Sequence, residues 1–106
     1  MPDPALPEFE TSEDAARRVL TLEAQALTRL AQDLPADFAA VITRILEIKG
    51  RVIVSGIGKS GHVGHKICAT LASTGTPASF VHAAEASHGD LGMITPDDIC
   101  ILISNS

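Results

Sequence analysis

Apolar side chains recur at spacings of three and four from Ala16 through Leu20, Ala24, Leu27 and Ala31 to Leu34, the period of one helix face. Thr11 or Ser12 can cap the start, and Glu13 and Asp14 stand in the first turn, where acids favour the helix dipole. The spacing predicts a helix through about Asp33, with a small-and-leucine stripe suited to packing on another helix. Pro35 restarts the chain. Phe38, Val41, Ile42, Ile45 and Ile48 then make the stripe of a second helix, closed by Lys49 and Gly50.

After Gly50 the pattern changes. A β-branched run, Val52-Ile53-Val54, predicts a strand over 51–55. Val63, Ile67 and Leu71 mark a helix over about 61–74, which Gly75, Thr76 and Pro77 end. A short strand at 78–82 and a polar, loop-like stretch at 83–92 follow. Thr95, Pro96 and Asp97 lead into a continuous apolar run at 98–103, of the kind found in a buried parallel strand. Strand–helix–strand of this length is a βαβ unit, which predicts the α/β class: two N-terminal helices, then a parallel sheet. Residues 1–10 read as a disordered leader, 11–49 as a helical hairpin and 50–106 as the start of the sheet. The last strand wants a covering helix after its turn, so the chain reads as the N-terminal part of a longer domain.

Composition narrows the choices. The chain has 106 residues, enough for one small domain, and 45% of them are hydrophobic. Phe9, Phe38 and Phe80 are the only aromatic rings of the Phe, Tyr and Trp kinds, so the core must be aliphatic. Net charge is −5 with no basic block, which argues against a nucleic-acid surface. No apolar run approaches the ~20 residues of a membrane span. Cys68 and Cys100 lie in regular apolar segments and read as free, buried thiols of a cytoplasmic protein.

The chemistry concentrates at Gly56-Ile57-Gly58-Lys59-Ser60-Gly61. Glycines after a strand let backbone N–H groups approach a ligand, and a helix start adds unpaired donors and partial positive charge. Lys59 and Ser60 bring an ammonium and a hydroxyl to the same point. The combination suits a phosphate. A Walker A loop would need glycine where Ile53 stands. A dinucleotide fingerprint expects an acid roughly 20 positions on, and around Val81 and His82 there is none. The competing plain reading is a turn that merely packs a helix on a sheet.

Ligands in such sheets bind beyond the carboxyl ends of the strands. Three ends are available there: the glycine turn, the 82–88 loop, and Ser104-Asn105-Ser106 with its two hydroxyls and an amide. His62 and His65, three apart on a helix, lack fixed carboxylate or thiolate company and read as solvent-facing or supporting residues more than as metal ligands. His82 and His88 are better placed to donate to a sugar hydroxyl or to move a proton. Asp90 reads as a brace for its own loop, and Glu85 stays open between proton transfer and metal binding.

Four motifs in this order carry a resemblance. Val-Ser-Gly-Ile-Gly-Lys-Ser-Gly at 54–61, Ser-Thr-Gly-Thr-Pro at 73–77, His-Ala-Ala-Glu-Ala-Ser-His-Gly-Asp-Leu-Gly-Met at 82–93 and Ile-Ser-Asn-Ser at 103–106 are similar to the sugar isomerase (SIS) domain of D-arabinose 5-phosphate isomerases. The resemblance implies an incomplete three-layer αβα, flavodoxin-like sandwich. It also implies an aldose–ketose isomerase acting on D-ribulose 5-phosphate through an enediol, on the route to the Kdo sugar of lipopolysaccharide. By the same resemblance Lys59 and His88 are catalytic. Gly58, Ser60, Gly75, Thr76, His82, His88, Ser104, Asn105 and Ser106 bind substrate. His82 also meets an inhibitory zinc, and no cofactor is required. Family members form homo-oligomers, often tetramers, through the N-terminal helices. The family's Ser-Asn-Ser-Gly-Glu turn is cut after Ser106, and its general base falls beyond that point, so little activity is expected of these residues alone. The alternatives are a non-catalytic phosphosugar-binding SIS module or another SIS isomerase. Acidic, helical residues 1–50 do not suit the DNA-binding regulators, and the Lys59 turn with the 82–93 loop speaks against amino-sugar and phosphoheptose isomerases.

Overall fold

The computed structural model describes residues 9–86 and 90–105. The chain forms two compact units, Met1–Phe38 and Ala39–Ser106. In the first, helix α1 runs Ser12–Gln32. Thr11 Oγ1 accepts the Asp14 N–H at 3.1 Å, which is the cap read from the sequence. Just before it, Glu10 takes Arg18 Nε and Nη2 at 2.8 and 3.0 Å, an exposed pair that steers the chain more than it stabilises it. Residues 1–8 of the expected leader lie outside the described residues. The helix buries none of its residues, and its stripe stands open, with Leu20 65% and Leu27 68% exposed.

Helix α2 (Phe38–Glu47) leads into the second unit, where β1 (Val52–Gly56) is the middle strand. Helix α3 (Lys59–Ser73) joins β1 to β2 (Ala78–Phe80), and β3 (Ile99–Ile103) pairs on the other side of β1. The order is β2-β1-β3 and both pairings are parallel, with Val52 opposite Ala78 and Ile99. This is the expected α/β arrangement. Being flanked on both edges explains the unbroken apolar run of β1: Val52, Ile53 and Val54 are 0%, 1% and 0% exposed. Val52, Val54 and Cys68 form the core cluster, closed by Ile67 and Leu71 of α3, Phe80 of β2 and Ile101 and Ile103 of β3. Each fully buried Val or Ile contributes about 1.5–3 kcal/mol. Helix α3 lies close on the sheet because Gly64 has no side chain: a Cβ there would meet Phe80 Cε2 at 2.9 Å and Val54 Cγ1 at 3.1 Å.

Four expectations change. Helix α3 begins at Lys59, two residues before the expected start, because Gly58 adopts a backbone only glycine holds comfortably and releases the helix at once. Strand β2 ends at Phe80 instead of at 82. The expected loop at 83–92 contains a short helix, α4 (Ala83–Ala86), and a 3-10 turn at Asp90–Met93. Three of the four α4 residues are alanine, the strongest helix former, and the His82 ring caps its start. Cys68 is buried as expected, but Cys100 is exposed, since alternate residues of β3 point away from α3. Among the described residues no helix is long and apolar enough to cross a membrane.

The opposite edge of the sheet is clamped by Asp98. Its Oδ1 accepts the Arg51 N–H at 2.9 Å and its Oδ2 the Thr95 N–H at 2.8 Å. Gly50 N–H donates to Asp97 O at 3.1 Å, and a Cβ at Gly50 would fall on the Asp98 carboxylate. Gly50 is thus required by close approach to β3, not by helix ending, for α2 has stopped at Glu47. Arg51 adds side-chain bonds to Ser79 Oγ at 3.0 Å and Met93 O at 3.3 Å, tying all three strands together at this edge. The Thr95 and Arg51 N–H donors, with the Arg51 charge behind them, hold the Asp98 pKa below the usual carboxylate range. The unfolded chain lacks these donors. Their stabilisation is therefore complete above the ordinary pKa of about 4 and is lost as pH falls through the lower, folded-state value. Asp98→Asn, which keeps the shape but turns one acceptor into a donor, should lower the melting temperature at neutral pH by a few degrees. It should also flatten the acid side of the stability profile in melts followed by circular dichroism.

Candidate functional site

Strand β1 ends at Gly56, and the chain turns over Ile57 and Gly58 into α3. Gly58, at φ 62° and ψ −130°, is the N-cap, and no side chain caps the helix there. The N–H groups of the first turn therefore stay available, with the positive end of the helix dipole behind them. Gly56 and Gly61 let the helix start rest on the strand end. A Cβ on Gly61 would lie 2.9 Å from Gly56 O, and one on Gly56 would lie 2.9 Å from the Ser60 carbonyl carbon. Lys59, the first residue of α3, is exposed, and its ammonium has no partner among the described residues.

Two hollows flank this turn and share Gly56. One, of about 230 Å³, lies over the carboxyl ends of β1 and β3. Ser55, Ser60, Ser104 and Asn105 give it polar groups, and Ile57 and Leu102 give it an apolar wall. The other, of about 190 Å³, lies on the β2 side, bordered by Gly58, His62, His65, Phe80 and His82. The His65 ring stacks on Phe80 with centroids 3.8 Å apart at 28°. Of the residues singled out in the sequence, Ser60, Ser104 and Asn105 thus come together in the first hollow, and Gly58 and His82 border the second. Gly75 and Thr76 do not join either. They follow α3 at the start of β2, on the opposite edge of the sheet, where Gly75 takes φ 101° and Thr76 N–H donates to Leu71 O at 2.8 Å. His88 and Ser106 lie outside the described residues. Glu85 is exposed on α4, and Asp90 opens the 3-10 turn.

His82 Nδ1 accepts the Ala84 N–H at 3.2 Å. In the neutral ring that leaves the proton on Nε2, so His82 presents a donor to the hollow. A zinc ion is a poor match to these groups. Binding it through Nε2 would require that proton to move to the nitrogen already accepting from Ala84. Among the described residues no three His, Cys, Asp or Glu stand together as a metal site, so they do not form a zinc centre by themselves.

Sequence reading missed Ser55 as a lining residue; His62 and His65, read as solvent-facing or supporting, are exposed and border the second hollow. The signal for Ser55 was its place, the last polar position before the glycine turn. The i, i+3 spacing of the histidines puts both on one face of α3 beside the end of β2.

Strand ends that gather hydroxyls and an amide around an uncapped helix start define a parallel α/β domain able to hold an oxyanion ligand. The SIS domain profile matches residues 45–106, and the chain belongs to the SIS domain family. It is 55% identical over 94 residues to the arabinose 5-phosphate isomerase KdsD of Yersinia pestis, covering 89% of this chain and 29% of that protein. It is 58% identical over 93 residues to the arabinose 5-phosphate isomerase GutQ of Escherichia coli K12, covering 88% and 29%. The chain thus spans less than a third of these relatives. Among solved structures, that of E. coli CFT073 c3406 in complex with A5P superposes with a TM-score of 0.80 at 41% identity, over 92% of this chain and 53% of that one.

The glycine contact yields a stability test. Gly56→Ala drives a Cβ into the Ser60–Gly61 backbone and should cost about 1–3 kcal/mol in urea unfolding. Gly92→Ala, which meets nothing within 4 Å, should change stability little.

Proposed function

We propose that the protein carrying this chain is an aldose–ketose isomerase that interconverts D-ribulose 5-phosphate and D-arabinose 5-phosphate in the cytoplasm, supplying the Kdo sugar. The observation that carries this reading is the gathering of Ser60, Ser104 and Asn105 in one hollow against the uncapped start of α3. The names of the relatives give the substrate class. Two free cysteines suit a reducing compartment.

In this reading the phosphate occupies the hollow over β1 and β3, and the sugar carbons lie toward Lys59 and His82. From the ketose, a base removes a proton at C1. The C1–H electron pair becomes the C1=C2 double bond, and the carbonyl pair moves onto O2 as an enediolate. Return of that proton to C2, with transfer of the O1 proton to O2, gives the aldehyde at C1 and the hydroxyl at C2. No electrons leave the substrate, so the step needs no redox cofactor. The Lys59 ammonium is free to stabilise the enediolate oxygen, and His82 Nε2–H can donate to a hydroxyl. His88 assists ring opening on the strength of the resemblance alone, and Gly75 and Thr76, on the opposite edge of the sheet, take no part in this hollow.

The test is conversion of ribulose 5-phosphate by the full-length protein. Lys59→Ala should lower its turnover by about two to three orders of magnitude. The 106-residue chain should show little turnover by itself. Failure of the full-length protein to form the aldose would sink the reading, and binding without turnover would favour a phosphosugar-sensing module.

Self-association through α1 belongs to the same proposal, since Leu20 and Leu27 of its stripe and the neighbouring Leu30 are each more than half exposed. Leu27→Glu should shift the sedimentation mass toward the monomer, whereas an unchanged mass would place the contact elsewhere.

A further inference from the structure

Strand β1 holds one polar side chain, and the core does not explain it. Val52, Ile53 and Val54 are essentially sealed, yet the next residue is Ser55, half-buried, with only Gly56 after it. Its position opposite Leu102 in the parallel register places both side chains on one face of the sheet. Both line the hollow that also holds Ser60, Ser104 and Asn105. Ser79 accepts from Arg51, and Ser73 and Thr74 donate to carbonyls of the last turn of α3, whereas Ser60, in the same hollow, has no partner among the described residues. The Ser55 hydroxyl has no partner among the described residues. Half-buried in the hollow's lining, this hydroxyl is open to a ligand as well as to water.

We infer that Ser55 is a phosphate-binding residue, its Oγ–H donating to an oxygen of the ligand's phosphate from the floor of the hollow. Ser60 approaches the same space from the helix start, and Ser104 and Asn105 from the end of β3. A donor at the end of the central strand completes a ring around an oxyanion whose remaining partners are backbone N–H groups. This inference rests on the proposal that the hollow takes the phosphate. It gives a role to a motif residue that the sequence reading left without one.

The test is kinetic, on the full-length protein, with arabinose 5-phosphate as substrate and inorganic phosphate as competitive inhibitor. Ser55→Ala should raise KM and the phosphate Ki together by about tenfold, the scale of a lost hydrogen bond to a charged group, with kcat changing less than KM. Ser55→Thr keeps the hydroxyl and should stay close to wild type, while Ser55→Val, of the same shape without a donor, should behave like the alanine variant. This isosteric pair separates the hydrogen bond from any packing effect. Ser60→Ala reports on the hollow itself. If Ser60→Ala weakens phosphate but the Ser55 variants do not, the inference falls and the site reading stands. If neither changes Ki, both fall. A rise in KM with Ki unchanged would move the hydroxyl to the sugar and overturn the assignment, as would equal behaviour of the Thr and Val variants.

Discussion

The second unit depends on one close approach: the start of α3 resting on the end of β1. Gly56 and Gly61 make it possible, since a Cβ on either would press into backbone of the other segment. The contact fixes where the helix begins, and so where its unpaired N–H groups and positive dipole end are aimed. It also holds α3 down along the sheet, so that Cys68, Ile67 and Leu71 reach Val52 and Val54. Site and core are therefore set by the same pair of glycines. A substitution there that only weakened packing would also displace the unpaired groups at the start of α3.

The sheet has a second fixed end. At the amino edge, Asp98 and Arg51 tie the strand starts together, Arg51 reaching Ser79 of β2 and Asp98 taking the Arg51 and Thr95 N–H groups. Polar groups here serve alignment, whereas at the carboxyl edge Ser55, Ser60 and Lys59 have no partners among the described residues. The same strand thus begins in satisfied hydrogen bonds and ends in unsatisfied ones. That asymmetry distinguishes the structural edge from the chemical one more clearly than composition does, since both edges contain similar residue types.

Much of this was legible in the sequence because it rests on local rules. The change from helical spacing to apolar runs located α1, α2, β1 and β3, and the glycine turn marked the edge that gathers Ser55, Ser60, Ser104 and Asn105. What was not legible depended on groups far apart in the chain. Gly50 looked like a helix terminator, but its role comes from Asp98, 48 positions on. Alternation in β3 exposes Cys100 because only one of its faces meets α3, which an unbroken apolar run cannot reveal. The polar look of 83–92 hid α4, whose cap is an imidazole and not one of the usual short hydroxyl or carboxylate caps. Gly75 and Thr76 stand in sequence between two elements of the site, yet the length of β2 and α3 carries them to the other edge.

Gly64 joins these themes in another way. Its missing methyl leaves the space into which the Phe80 ring fits, and the His65 ring lies on that phenyl. The imidazole's position is therefore inherited from an empty place in the helix one residue before it. Histidine geometry in this hollow is a packing quantity, and drift at position 64 would be felt as altered chemistry at 65 without any polar atom having changed.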